Sequence, residues 1–196
     1  MEREQVLAVD IVFLLRAEDQ GVAINLSRQI PGSSFYLNRE DRLPHLTLAM
    51  GYIDNLSLAK DKVSEVAKEA KAFDLEMKGT DRQFIDIENS FRLLALHKKI
   101  LERINFLKID DRPEAFVDYS VDPPRVSTLD WIRNFKSDHS YEKYEPHITL
   151  GITQEKFELR SNDFPRIISV DEITLCHLGN FNTCRIILGK WQLSGH

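Results

Sequence analysis

Apolar and polar positions along this chain switch between a period of about two and a period of about 3.6 residues, and the switches mark out strands and helices. Val6–Leu15 is a short apolar run, interrupted by Asp10, that reads as a buried strand. From Asp19 to Ile30 the apolar residues Val22, Ala23, Leu26 and Ile30 fall at helical spacing, closed by Pro31 and Gly32. Extended character returns at Phe35–Leu37 and Leu43–Ile53. Ser57 then stands as the N-cap of a second helix with Ala59, Val63, Val66, Ala67, Ala70 and Phe73 on one face. Leu75–Met77 and Gln83–Glu88 predict short strands around a turn at Gly79–Asp81, and Leu93, Leu94, His97, Ile100, Leu101 and Ile104 mark a third helix. The paired prolines of Asp118–Arg125 indicate a loop, and a short helix is expected near Thr128. Pro146–Ile152, Ile167–Leu178 and Cys184–Leu193 are extended, the last two joined by a turn at Gly179–Asn182.

Strands interleave with helices, yet hairpin-like pairs recur, which predicts an antiparallel α+β architecture rather than a doubly wound parallel sheet. At 196 residues with no linker or low-complexity tract, residues 1–196 read as a single unit. A net charge of −5 argues against a protein that coats long duplex nucleic acid, but leaves a small anion or a short RNA end as a partner. No stretch approaches the roughly 20 apolar residues that span a bilayer, and the charged Glu2, Arg3 and Glu4 do not open a signal peptide. Two cysteines, Cys176 and Cys184, are too few for a disulfide scaffold. They are read as free thiols in a cytoplasmic protein, although a hairpin would let them face each other.

The most informative feature is a repeat. Pro44-His45-Leu46-Thr47-Leu48-Ala49-Met50 and Pro146-His147-Ile148-Thr149-Leu150-Gly151-Ile152 share four of seven positions and place their histidines 102 residues apart. From composition alone, two such His-apolar-Thr-apolar segments arise on the order of once in a thousand chains. Residues two apart in a strand share a face, so each motif offers an imidazole and a hydroxyl together while Leu46, Leu48, Ile148 and Leu150 face a core.

Two imidazoles and two hydroxyls around one groove suit in-line displacement at phosphorus. One histidine takes the proton of the attacking oxygen and the other protonates the leaving oxygen, because imidazole serves in both states near neutral pH. Thr47 and Thr149 would donate to the non-bridging oxygens as charge develops. Neither a metal nor a cofactor is expected, since two histidines without an acidic or thiol partner at ligand spacing supply too few ligands for zinc.

At these residues the chain resembles the two-histidine (2H) phosphoesterase superfamily, which includes 2'-5' RNA ligase-like proteins and 2',3'-cyclic nucleotide phosphodiesterases. His45-Leu46-Thr47-Leu48 and His147-Ile148-Thr149-Leu150 match its pattern. The resemblance implies a bilobal, pseudo-twofold fold of antiparallel sheets with flanking helices and a central groove carrying both motifs. It also implies acid–base roles for the histidines and phosphate binding by the threonines. Bacterial ligase-like members often place a basic residue just after the second motif, where Gly151 and Ile152 stand here.

The expected activity is metal-independent hydrolysis of a 2',3'-cyclic phosphate or a 2'-5' linkage in a nucleotide or RNA end, by a monomer with no membrane partner. A noncatalytic module of the same fold, binding a nucleotide or RNA end, is the alternative. Tyr52, Tyr144 and Phe181 are candidates to contact a base, and Arg42 and Lys143 to contact a phosphate. His97 shares the apolar face of its helix and reads as core, and no chemistry is assigned to His139, His177 or His196.

Overall fold

The computed structural model describes residues 5–81, 83–157, 159 and 166–195, so Glu2, Arg3, Glu4 and His196 lie outside the described residues. Strand β1 (Leu7–Leu14) leads into helix α1 (Ala17–Ser27), then β2 (His45–Ile53), α2 (Leu56–Glu69), β3 (Phe73–Asp81) and β4 (Phe84–Ile87). Helices α3 (Phe91–Arg103) and α4 (Val126–Asp138) follow, and β5 (His147–Thr149), β6 (Ile167–Val170), β7 (Glu172–Leu178) and β8 (Cys184–Gln192) complete the order. Among the described residues no helix is long and apolar enough to cross a membrane.

Among the described residues, the eight strands join one sheet in the order β6-β3-β4-β5-β2-β1-β7-β8, and every neighbouring pair is antiparallel. The order is symmetric about its middle step: each motif strand, β2 or β5, is followed outward by three more. β6 and β7 are separated only by Asp171, yet stand first and seventh in the sheet, so the sheet must curl round to bring its ends together. The expected α+β antiparallel architecture is present, with both halves hydrogen-bonded through the pairing of Leu46 with Ile148. Leu46, Leu48, Ile148 and Leu150 are fully buried in the principal core with Ile11, Phe13, Ile85 and Leu175.

A β-bulge shapes the first motif. The register passes from Val12–Thr47 to Ile11–Ala49, leaving Leu48 without a partner on β1. Its carbonyl is satisfied by the fully buried His97, whose Nδ1–H donates to it at 2.6 Å while Nε2 accepts the Tyr141 amide at 3.0 Å. His97 is thus the core residue that its helical position implied.

Several boundaries depart from the sequence pattern. Helix α1 ends at Ser27, three residues early, because the buried Ser27 hydroxyl accepts the Leu37 amide at 2.9 Å and turns the chain. β3 runs through Gly79 to Asp81 without turning there, and Gly79 marks a register shift against β4. Phe73 belongs to this strand, not to the face of α2. The segment Ile167–Leu178 is two strands, one for each half of the sheet, and α4 is a full helix of 13 residues.

Cys176 and Cys184 are not free. They sit on adjacent antiparallel strands with Cα atoms 5.6 Å apart, within disulfide range, and are bonded. Helix α2 is capped by Asn55, whose side chain accepts the Leu58 amide at 2.8 Å, and Ser57 lies inside the first turn. Asn55→Ala is expected to destabilise the protein by about 1 kcal/mol and Ser57→Ala by less than about 0.5 kcal/mol, read as the shift in urea midpoint.

Candidate active site

The pairing of β2 with β5 sets the site. With Leu46 opposite Ile148 in antiparallel sense, His45 comes alongside Thr149 and Thr47 alongside His147, so each imidazole neighbours the hydroxyl of the other motif. The leucine and isoleucine point into the core; the histidines and threonines point the other way and line a groove of about 580 Å³. Leu37, Met50, Phe84, Trp131 and Ile152 supply apolar walls.

Both imidazoles are held by the same device. His45 Nδ1 lies 2.7 Å from the Leu43 carbonyl and His147 Nδ1 2.8 Å from the Glu145 carbonyl, each two residues back. A carbonyl only accepts, so each Nδ1 carries the hydrogen and each Nε2 is the nitrogen left to take up a proton. Pro44 and Pro146, between carbonyl and histidine, hold the preceding residue extended and keep the carbonyl aimed at the ring. Leu43 is itself fixed, its amide donating to the Cys184 carbonyl at 3.2 Å.

The two environments differ. The His45 side chain is only 13% exposed, and burial above all holds its pKa below the ordinary imidazole value, with the nearby His147 adding to the effect against the Leu43 hydrogen bond. The His147 ring packs edge-on against Phe84 at 4.8 Å and remains partly exposed.

Beneath the first motif lies a group that the motif does not contain. Asp10, on β1 and 0% exposed, places Oδ2 at 2.7 Å from Thr47 Oγ1 and 3.6 Å from His45 Nε2. Burial raises its pKa well above the usual carboxylate value, against the hydrogen bond from Thr47 and the Ile11 amide. Its sequence signal was the lone acid in an apolar strand. Trp131, on α4, was also missed: it stacks on His139 at 3.7 Å in the groove wall, 36% exposed.

The other candidates divide. Phe181 lines the groove, with the Arg125 guanidinium 4.5 Å over its ring. Lys143 reaches the rim, but its ammonium donates to the Ser137 carbonyl at 3.0 Å. Tyr144 also lines the groove but is only 4% exposed, stacked on His97 at 3.9 Å, and its hydroxyl donates to the Thr47 carbonyl at 2.6 Å. Tyr52 is not at the site: it is 1% exposed near the far end of β2, edge-on to Phe116. Arg42 lines a neighbouring cavity with Arg185, Asp118 and Asp122. At Gly151 a Cβ would lie 2.5 Å from Ser33 Oγ and 3.3 Å from the Phe35 carbonyl oxygen, so a side chain there would force its neighbours to shift, and the apolar Ile152 lines the groove beside it. Among the described residues no group of three or more His, Cys, Asp or Glu side chains is placed to hold a metal ion.

The chain shares its fold with E. coli LigT. The chain superposes on LigT complexed with NADP+ with a TM-score of 0.61 at 16% identity, covering 97% of this chain and 100% of LigT. TT0787 of Thermus thermophilus matches with a TM-score of 0.61 at 15% identity, and a protein described as a phosphoesterase with 0.60 at 15%, each with 97% of this chain and 100% of the other covered. LigT has also been solved with phosphate and with 3'-AMP. No protein-family model and no curated protein matches the sequence.

Burial pushes His97, His139 and His177, like His45, below the ordinary imidazole value. At these four positions the unfolded chain therefore binds more protons than the folded one as pH falls below about 6.5, and their contribution to stability falls with it. Asp10 opposes them, since burial raises its carboxyl pKa and the folded state then holds a proton that the unfolded chain lacks. The test therefore uses Asp10→Asn: its urea midpoint is expected to be lower at pH 5.5 than at pH 7.5, and a midpoint independent of pH in that variant would contradict the burial of these rings.

Proposed function

We propose that this protein is a two-histidine phosphoesterase that hydrolyses a phosphodiester without a metal, acting on a 2',3'-cyclic phosphate or a 2'-5' linkage in a nucleotide or RNA end. The observation that carries the reading is the matched pair of tautomers: each motif histidine gives its Nδ1–H to a backbone carbonyl, and both rings line one groove.

His45, desolvated and biased to the neutral form, is the general base that removes the proton from water attacking phosphorus. His147, the more open ring, carries the proton that Nε2 gives to the departing ribose oxygen. The pair then returns to its starting state by proton exchange with solvent. Thr47 and Thr149 donate to the non-bridging oxygens, where charge builds. Trp131, backed by His139, offers a flat face to a nucleobase, and the phosphate and 3'-AMP complexes of LigT support a ligand of that kind.

Turnover of 2',3'-cyclic nucleotides and 2'-5' dinucleotides is expected to survive EDTA. His45→Ala and His147→Ala should each lower kcat by about 10²- to 10⁴-fold. Nucleotide binding without turnover of any substrate would instead favour a noncatalytic module. Trp131→Ala should raise KM roughly 5- to 100-fold with kcat largely kept, since stacking on one base contributes about 1–3 kcal/mol. The acid limb of the kcat/KM profile reports loss of the His45 proton, so it should lie below the ordinary imidazole value of about 6.5.

A further inference from the structure

Thr47 has one hydroxyl proton, and Asp10 competes with the groove for it. The Thr47 oxygen lies 2.7 Å from Asp10 Oδ2. If Asp10 is a carboxylate, the hydroxyl must donate to it, and Thr47 then shows the groove only lone pairs, which repel an anion. If Asp10 is a neutral acid, its own O–H can donate to Thr47 Oγ1, and the threonine proton is free to point at a phosphate.

The surroundings of Asp10 favour the neutral acid. The side chain is fully buried, and no lysine or arginine pairs with it among the described residues. Oδ1 makes no hydrogen bond of normal geometry. From β2 it faces His45, a ring itself biased to the neutral form and beyond hydrogen-bond length at 3.6 Å. From the segment before β5 it faces the Tyr144 phenol, whose ionisation is pushed up first by burial and then by the charge of an ionised Asp10. From β7 its register partner is Cys176, which is bonded in the disulfide and does not titrate. A buried carboxylate without a counter-charge is costly, and protonation removes that cost. Apolar sites that keep a carboxylic acid neutral so that it can donate are an established device.

Resting on the phosphoesterase reading above, we infer that Asp10 is a buried positioning residue which, as a neutral acid, donates to Thr47 Oγ1 and so turns the Thr47 hydroxyl proton towards the phosphate. Ionisation of Asp10 reverses the hydrogen bond and withdraws that donor. Asp10 touches no substrate, and it acts only through Thr47.

The test uses sulfate, a phosphate mimic with no titration of its own near neutral pH, bound to the full-length protein and followed by calorimetry. Asp10→Leu, which has no donor, should weaken sulfate binding about tenfold. Asp10→Asn, whose amide donates but does not titrate, should recover most of that loss. The infrared spectrum of the wild type at neutral pH should contain a protonated carboxylic acid band that Asp10→Asn lacks. Any loss of that band with rising pH should coincide with a fall in sulfate affinity in the wild type and not in Asp10→Asn. Should Asp10→Asn fail to fold, Thr47→Val takes its place: it should weaken sulfate binding as Asp10→Leu does and keep the infrared band. An Asp10→Asn protein no better than Asp10→Leu, or a carboxylate at position 10 at neutral pH, would overturn the inference. Absence of turnover in the wild type would defeat the phosphoesterase reading alone, because sulfate binding and the infrared band decide the role of Asp10 without catalysis.

Discussion

The pairing of Leu46 with Ile148 is the constraint on which the rest of the molecule depends. It is the step where the two halves of the sheet meet, and it fixes what each face of the motif strands does. Because side chains alternate across a strand, committing these two residues to the core commits His45, Thr47, His147 and Thr149 to the opposite face. A slip of one residue in either strand would bury imidazoles and expose leucines. The apolar residues of the motifs are therefore as necessary to the site as the polar ones.

Much of the site was legible because its chemistry is local. His and Thr two apart in a strand share a face whatever the tertiary fold, and the repeat announced that two such faces belong together. The prolines before each histidine have a reason visible only in three dimensions: each holds a carbonyl against Nδ1 and so selects the tautomer. Tyr52 misled because nearness in sequence is not nearness in space. Seven residues of extended strand from His45 span roughly 23 Å. Tyr144 does reach the groove, and what sequence could not show is that its hydroxyl and its ring are engaged by the Thr47 carbonyl and by His97.

What stayed hidden depended on register between distant segments. Asp10 was conspicuous as an acid in an apolar run, yet its partner Thr47 is 37 residues away and meets it through a bulged pairing that no periodicity reveals. Asn55 and Ser57 are both competent caps, and only the start of α2 decides between them. The cysteines were judged from their number, whereas the register of β7 with β8 determines that they meet. The break at Asp171 has no glycine or proline to mark it, because it comes from the curl of the whole sheet.

The unequal burial of the two motif histidines bears on direction. A frame with two equivalent halves presents the same face to a ligand turned end for end, and a phosphodiester has two different ends. Were both rings in the same surroundings, either orientation would be accepted and neither preferred. A fully buried acid under one motif and an open, phenylalanine-backed ring in the other break that degeneracy. The duplicated architecture thereby acquires a polarity: like a battery made of two similar plates, its work comes from the difference between them.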